Sequence, residues 1–298
     1  MEPLNEPPEP ISPAIEPRPE PREFPLRRNE FTLTDLLSRA SEAWSRDLGA
    51  WVLAMLLYGL IGLGVPMVLG LVWGVVGGFQ DSGSDAFQAI DWLVQGVLQV
   101  AQLVLGAIFT LGLWAMAMRG LHAEKVTVGV LFSQLSKIWK YVLQALAVFA
   151  GVLLIVAPLL LIVFLAFVGP VDRSTPMDEI TDKAGMPLLI AFGVLVPLYV
   201  YIVAGIAFMQ TELAFNDDSG PVEAILTSWR IARGKRGKII GVGLLAILIW
   251  TGSTMLCGIG LLFGGPFATL LVGALYLALR NGSDAPAPNT TSTLGRRY

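Results

Sequence analysis

Residues Pro221–Lys238 read PVEAILTSWRIARGKRGK, a segment with apolar residues at helical spacing that ends in a run of basic residues. An apolar stretch, residues 239–279, follows it directly. The spacing of the apolar positions predicts a helix, and basic residues beside an apolar span are typical of the cytoplasmic boundary of a membrane protein. The segment therefore predicts a helix that lies on the membrane surface and leads into a transmembrane span.

The composition of the whole chain also indicates a bilayer location. Its 298 residues are 54% hydrophobic and only 14% charged, and the mean hydropathy is +0.67. Soluble domains carry about 25% charged residues. The apolar blocks are long enough for the roughly 20 helical residues that cross a hydrocarbon core, and they are too continuous for barrel strands. The sequence therefore predicts an all-α integral membrane protein.

Two earlier segments of the chain resemble the opening stretch at intervals of 95 residues. Five of the sixteen positions 34–49 recur identically in 129–144, among them Trp44 as Trp139. Unrelated sequences would share about one position in sixteen, so the match predicts an internal repeat. Leu226 and Ser228 keep two of the same columns in the third copy. The predicted repeats cover about 31–118, 126–215 and 221–280.

Each repeat predicts one amphipathic interfacial helix followed by a hairpin of two spans. In the first copy the apolar face begins at Leu33 and ends at Trp44, a residue that favours the membrane interface. The fold prediction is therefore six transmembrane helices, arranged as three hairpins, each preceded by a cytoplasmic amphipathic interfacial helix. The spans are predicted at about 49–76, 92–118, 141–168 and 187–210, with two more within 239–279. For this last pair, a re-entrant hairpin is the alternative.

The chain ends are predicted to lie outside this membrane domain. Residues 1–30 hold nine prolines and seven glutamates. Such a segment buries too little apolar surface to offset its ordering entropy. We therefore predict a disordered cytoplasmic tail over 1–30, the six-span membrane domain over 31–280, and a second disordered tail over 281–298.

The distribution of basic residues predicts the orientation. With alternating spans, one side receives both termini and the 119–140 and 212–238 connections, and these segments hold 18 of the 20 Lys and Arg residues. Only Arg173 and Lys183 fall on the other side. Basic segments stay in the cytoplasm, so both termini are predicted to be cytoplasmic, which requires an even number of spans.

Two motifs then suggest a family. The stretch PVEAILTSWRIARGK and the last span, PFATLLVGALYLALR, resemble the signature segments of a family of bacterial six-helix membrane proteins. That family includes the membrane domain of glycerophosphoryl diester phosphodiesterases; its "EA…SW…GK" segment precedes the fifth span and its "PF…LY.DLR" segment closes the sixth. Ala278 stands where the family has aspartate. The matching residues are Glu223, Ala224, Ser228, Trp229, Gly234, Lys235, Pro266, Phe267, Leu275, Tyr276, Leu279 and Arg280.

The resemblance implies a six-helix fold in a bacterial cytoplasmic membrane and says little about activity. The family's phosphodiesterase domain, a soluble barrel with paired histidines, is absent, because His122 is the only histidine. The single cysteine, Cys257, likewise leaves no thiolate metal cluster. We find no nucleotide-binding, metalloprotease or serine-hydrolase motif, so no enzyme, catalytic residue, metal or cofactor is predicted. The basic residues follow the membrane boundary, and nucleic-acid binding is not predicted.

The leading functional hypothesis is a non-enzymatic membrane scaffold or lipid-interacting module. A transporter or channel for a small solute or lipid is the alternative, since prolines occur within four predicted spans as in the broken helices of transporters. Gln95, Gln99 and Gln102 form a polar stripe on the second span. Such a stripe indicates either hydrogen bonds between helices or the lining of a polar pathway. A homo-oligomer or a second membrane protein remains open as a partner.

Membrane lipids, in particular anionic ones, are the predicted partners. Five positive charges lie within nine residues at the end of the opening stretch, where they attract an anionic leaflet, although the orientation rule alone also produces such a cluster. Four nearby acids, Glu212, Asp217, Asp218 and Glu223, offer these charges alternative partners. The candidate head-group contacts are Ser228, Trp229, Arg230, Arg233, Lys235, Arg236 and Lys238.

Overall fold

The computed structural model describes residues 24–78, 85–167, 193–256 and 259–297, and these ranges are mostly helical. The predicted tail over 1–23, the loops around 79–84 and 168–192, the start of the predicted fourth span and the turn at 257–258 lie outside them. In chain order the elements are α1 (Leu33–Arg46), α2 (Leu48–Leu57), a π-helical segment (Tyr58–Leu63), α3 (Gly64–Gly78), α4 (Asp85–Leu121), two 3₁₀ helices (Val128–Phe132 and Leu135–Lys137), α5 (Ile138–Phe167), α6 (193–206), α7 (Met209–Phe215), α8 (Pro221–Ala232), α9 (Arg236–Met255), α10 (Leu261–Arg280), β1 (Asn289–Thr290), α11 (Thr291–Leu294) and β2 (Arg296–Arg297).

The described part of the chain contains five helical stretches that are long and apolar enough to cross a membrane. They are Ile90–Leu121, Val128–Pro158, Gly193–Phe215, Arg236–Met255 and Leu261–Arg280. These stretches are compatible with a multi-pass membrane protein, and the prediction of a helical membrane protein is confirmed at this level.

The first predicted span differs from the other five. Its apolar helix among the described residues is shorter, Leu48–Gly62, and includes most of the π-helical segment between α2 and α3. The ring of Tyr58 stands edge-on to Phe109 of α4, with ring centroids 5.2 Å apart. Gly59 and Gly62 lie within this segment and Gly64 directly follows it, and π-helical turns commonly mark places where a helix deviates from regular geometry.

Helix α10 lies at the centre of the bundle and packs against α1, α2, α4 and α9. Trp51, Phe109 and Tyr276 are among the largest fully buried side chains. In contrast, α5 points large apolar residues outward; Leu154 is 77% exposed and Phe149 is 66% exposed. Exposed apolar surface of this extent is unusual for a soluble monomer and is expected where lipid surrounds the helices.

Helix α1 packs on the bundle through Leu36, Ala40 and Ala43, whereas Leu33 at its start is 48% exposed. Thr32 caps the helix, and its hydroxyl and backbone N–H both donate to Asp35. These hydrogen bonds lower the pKa of the Asp35 carboxyl. Trp44 contacts the rings of Phe263 and Phe267 on α10 edge-on. The indole therefore packs against helix α10, in addition to any interfacial position.

The second repeat does not form the predicted amphipathic α-helix. It consists of two short 3₁₀ helices before α5 begins at Ile138. Val126, Thr127, Val128 and Val130 are β-branched and Gly129 is flexible, a composition with low helix propensity. The main chain at Leu131 also lies directly against Gly112 of α4, which fixes the segment in this irregular form.

The described segments nearest the termini, 24–30 and 281–297, pack on one end of the bundle. Phe24 is buried, and the side chain of Asn281 donates to the carbonyls of Phe24 and Leu26 at 3.1 Å. Thr293 is fully buried, its hydroxyl donates to Ala214, and its carbonyl accepts from Arg119 Nε at 2.5 Å. The prediction of solvated tails is therefore wrong for 24–30 and 281–297. Unpaired carbonyls at the helix ends provide partners that composition does not reveal.

Candidate functional site

The basic cluster lies at the turn between α8 and α9. Pro221 occupies the first turn of α8, where its missing N–H costs nothing, and Glu223 accepts a hydrogen bond from the N–H of Gly220 at 3.4 Å. Gly234 has φ +72°, a left-handed conformation that favours glycine, and it turns the chain into α9. The turn thus brings the basic residues at the end of α8 and the start of α9 together.

Ser228 has a structural position. It is fully buried; its hydroxyl donates to the carbonyl of Gly205 and accepts from the N–H of Phe208, both at 3.0 Å. These two bonds hold α8 against the end of α6. The prediction that Ser228 contacts lipid phosphates is therefore wrong, because its hydroxyl is enclosed by protein. The spacing of the apolar residues predicted correctly that Ser228 lies on a helix, but it did not indicate which face of that helix is buried.

Trp229 and Arg236 form an aromatic and cationic group with α6. The indole of Trp229 lies over Gly205, where a Cβ atom would come within 2.3 Å of the ring. The guanidinium carbon of Arg236 is 3.7 Å from the ring centroid of Tyr201 and 4.3 Å from that of Trp229. Each contact is at cation–π distance. Three helices, α6, α8 and α9, therefore meet around the Arg236 guanidinium.

The other basic residues of the cluster differ in their surroundings. Arg230 and Arg233 are exposed at the end of α8, and Lys235 is half-buried. Lys238 Nζ lies 4.1 Å from the ring centroid of Phe31 and donates to the Phe31 carbonyl at 3.3 Å. Lys238 is therefore engaged with the N-terminal segment although its side chain is exposed, and Arg230 and Arg233 are exposed as well.

The four nearby acids are engaged elsewhere. Glu212 pairs with Arg280 and Asp217 with Lys137, at 2.6 Å and 2.7 Å. Asp218 accepts from the side chain of Asn289 at 2.8 Å, and Glu223 caps Gly220. Among the ion pairs of the described residues, none joins a carboxylate to a basic residue of the cluster. The positive charge of the cluster is therefore left uncompensated by these acids.

A buried ionic network lies under the cluster and was not predicted. Glu212 is fully buried; its Oε2 accepts from the Tyr276 hydroxyl and from Arg280 Nη1, both at 2.6 Å. Its Oε1 accepts from Asn216 at 3.0 Å. The second guanidinium arm of Arg280 donates to the carbonyl of Pro286 at 2.8 Å. The network joins α7, α10 and the C-terminal segment, and its closed set of partners indicates a structural role.

A second ion pair holds the C-terminal segment. Lys137, which is almost completely buried, also donates to the carbonyls of Leu213 and Ala214 at 3.0 Å. Asp217 accepts from both the hydroxyl and the N–H of Ser292. Burial opposes ionisation of Asp217, but these hydrogen bonds and Lys137 outweigh it and lower the pKa of the carboxyl. Asp217 therefore remains a carboxylate that anchors residues 289–294.

The single histidine belongs to this packed region. His122 is buried, with Nδ1 2.8 Å from the carbonyl of Met118, and its ring stacks on Phe215 at 5.8 Å between centroids. His122 is therefore enclosed by packed side chains at the end of α4. Across the described ranges, no group of three or more His, Cys, Asp or Glu side chains is arranged to hold a metal ion.

The glutamine stripe faces outward. Gln95, Gln99 and Gln102 are exposed on α4, and no hydrogen bond from them to another described residue is present. Pairing of their amides within the described part of the chain is therefore not found. The predicted role in contacts between helices stays a prediction, which requires a partner outside these ranges or in another molecule.

An apolar groove of about 910 Å³ runs between α5 and α6. Its walls include Phe149, Ile155 and Val203, and its end near α8 carries the polar groups of Tyr141, Gln144 and Gln210. Gln144 donates to the carbonyl of Met209 at 3.2 Å, and Gln210 lies 3.5 Å from the Tyr141 hydroxyl. The polar end is thus partly satisfied, and most of the lining is suited to hydrocarbon.

Comparison with known proteins yields a family and no function. Searches of curated proteins and of solved structures give no match. A family model described as "Domain of unknown function (DUF7847)" matches residues 35–294, from the first helix to the C-terminal segment. The match includes α8, the basic turn and both buried ion pairs. This chain therefore belongs to the DUF7847 family of unknown function.

Proposed function

We propose that the protein is a non-enzymatic, multi-pass membrane protein that binds anionic lipid head groups through the basic turn between α8 and α9. The observation that carries the proposal is the uncompensated charge of this turn. Of the four nearby acids, Glu212 and Asp217 are committed to Arg280 and Lys137. Attraction to an anionic leaflet is worth roughly 1 kcal/mol per basic residue near the surface.

The exposed face of α8 supports a position at the membrane surface. Val222 and Leu226 are 57% and 52% exposed, whereas the buried face carries mostly small residues, with Ile231 as its one large apolar side chain. A helix that packs on protein through small residues and exposes large apolar ones can insert the latter among lipid chains. The basic end of the same helix then lies at the depth of the head groups.

We further propose six spans arranged as three hairpins, with both termini in the cytoplasm. The contacts of the chain ends support this arrangement. Arg28 Nη2 donates to the carbonyl of Arg233 at 2.6 Å, and Arg119 contacts Thr293. The N-terminal segment, the α8–α9 turn, the end of α4 and the C-terminal segment thus meet, and these are the segments that carry most of the basic residues. The first span in chain order, which brings the number to six, would consist of α2, the π-helical segment and α3 together.

This arrangement predicts which segments are reachable from outside the cell. Cysteine or epitope tags at either terminus or within 120–126 should be protected in intact cells, whereas tags within 80–88 and 172–183 should react with an impermeant reagent. Labelling before and after permeabilisation measures the difference. Labelling of the termini in intact cells would contradict the six-span proposal.

The lipid proposal predicts a loss of anionic lipid when the turn is neutralised. The triple variant Arg230→Gln, Arg233→Gln and Arg236→Gln should bind anionic lipid about 100-fold more weakly, since three charges contribute roughly 1 kcal/mol each. Native mass spectrometry of the purified protein titrated with phosphatidylglycerol measures this affinity.

A matched control removes three basic residues from other parts of the same predicted side, through Arg39→Gln, Arg46→Gln and Lys125→Gln. This variant has the same net charge as the triple variant of the turn. Its affinity should stay within a few-fold of wild type. An equal loss of lipid affinity in both variants would mean that lipid binding depends on overall charge. Unchanged lipid affinity in the triple variant of the turn would leave the turn as an orientation signal only.

If the protein is instead a transporter, the groove between α5 and α6 favours lipid as the transported molecule. A transporter of polar solutes needs convergent polar groups, whereas this groove is lined mainly by residues such as Ile155 and Val203. We therefore place lipid first among cargoes if the protein is a transporter. We also propose a common ancestry with the membrane domain of glycerophosphoryl diester phosphodiesterases. Association into a homo-oligomer or with a second membrane protein is a further proposal.

A further inference from the structure

Arg236 differs from every other basic residue of the turn in how its side chain is held. Its guanidinium carbon is 3.7 Å from the Tyr201 ring centroid and 4.3 Å from the Trp229 ring centroid. Trp229 is itself held by its close contact with Gly205. Stacking on two rings from two other helices removes most of the rotamer freedom that a surface arginine has.

The hydrogen-bonding capacity of this guanidinium is unused by the described residues. Arg236 Nε is buried and makes no hydrogen bond to a described residue. The two Nη atoms also make none, but they are not buried. Arg236 is only half-buried as a residue, so the Nη groups keep access to the surroundings. The Nη groups therefore keep donors that a ligand can reach, and two N–H donors in one plane fit an acceptor with two oxygens.

We infer that the two Nη groups of Arg236 bind a phosphate group of an anionic lipid directly, with Tyr201 and Trp229 as positioning residues. The inference rests on the proposed function and assigns its specificity to one residue. Arginine binds phosphate through two parallel N–H···O bonds, which a flexible lysine does not provide.

The surroundings favour phosphate over a protein carboxylate. Glu212, Asp217, Asp218 and Glu223 each have another partner, as described above. Lys238 is engaged with Phe31, and Arg230 and Arg233 are exposed without a described stacking partner. These flanking charges raise the local concentration of anions, while Arg236 supplies the oriented contact.

The test compares single variants of the full-length protein in detergent. Short-chain phosphatidylglycerol, short-chain phosphatidylcholine and inorganic phosphate are titrated separately, and binding is followed by native mass spectrometry. Arg236→Gln should weaken phosphatidylglycerol binding about 10-fold or more, because a charge-assisted bidentate contact is lost. Arg230→Gln, an exposed residue with the same charge change, should weaken it only about 5-fold, the effect of losing one surface charge.

Two further variants separate an oriented contact from simple charge. Arg236→Lys keeps the charge and should still lose most of the affinity. Tyr201→Leu keeps Arg236 and removes one stacked ring, and it should weaken binding several-fold; this variant also decides the question if Arg236→Gln does not fold. Thermal unfolding of each variant without lipid checks that binding is compared between folded proteins.

The outcomes distinguish the inference from the proposed function. If wild type prefers phosphatidylglycerol but Arg236→Gln binds it like Arg230→Gln, the inference is overturned and the function stands. Wild-type affinity in Arg236→Lys also overturns it, because charge alone would then suffice. Equal affinity for inorganic phosphate and phosphatidylglycerol would overturn lipid as the source of the phosphate. Equal wild-type binding of phosphatidylglycerol and phosphatidylcholine would overturn both.

Discussion

Replacement of Arg280 by methionine is expected to lower the free energy of unfolding by about 3–5 kcal/mol. Methionine fills much of the same volume, but it leaves the fully buried Glu212 without its ionic partner and only the Tyr276 hydroxyl and the Asn216 amide as donors. An uncompensated buried carboxylate is far more costly than the pair itself. Unfolding in mixed micelles by a denaturing detergent measures the difference.

The double variant Glu212→Gln with Arg280→Met should recover most of this loss, because no buried charge is then left. The control is Arg39→Met, which breaks an exposed pair with Glu42 whose side chains are 43% and 59% accessible. It should cost less than about 1 kcal/mol. A loss below 1 kcal/mol for Arg280→Met, or a double variant as unstable as the sum of the single ones, would contradict a closed buried network.

Replacement of Gly112 by alanine is expected to destabilise the protein by about 1–3 kcal/mol, through one added methyl group. A Cβ at this position would lie 2.1 Å from the carbonyl oxygen of Leu131, and the nearest atoms all belong to the main chain. Neither α4 nor the 3₁₀ segment can relieve the overlap by rotating a side chain. The two elements must separate, and their shared contacts are lost.

Gly106 provides the matched control on the same helix. A Cβ at Gly106 meets nothing within 4 Å, so Gly106→Ala should be neutral or stabilise α4 by about 0.5–1 kcal/mol through helix propensity. The same detergent unfolding assay compares both variants. Equal effects of the two substitutions would show that the close approach of α4 and Leu131 contributes nothing to stability.

Periodicity predicts elements well where one residue class dominates. The apolar runs give the class of the protein and five stretches able to cross a membrane, because length and hydropathy are properties of a segment by itself. The helices around Leu33–Arg46 and Pro221–Ala232 also follow from their caps and spacing. The same reasoning failed for 128–137, where weak helix formers take the shape that contact with α4 imposes.

The candidate site was only partly predictable. The basic residues between Arg230 and Lys238 are contiguous in the chain, so the sequence shows their charge directly. The burial of Ser228 and the stacking of Arg236 on Tyr201 depend on residues at least 20 positions away. The sequence did contain one signal of the buried ionic network around Glu212. Tyr276 and Arg280 are four residues apart, on one helix face, in a motif that carries the family resemblance.

The sequence by itself determined a helical chain with stretches apolar enough to cross a membrane and a basic turn beside one of them, since hydropathy and charge are read along the chain. The tertiary structure decided which charges remain available. Glu212 and Asp217 are close to the turn in sequence, yet they pair with Arg280 and Lys137, which are distant along the chain. Burying a carboxylate requires a fixed cationic partner, and only the packing of α4, α5, α7 and α10 brings such partners within reach.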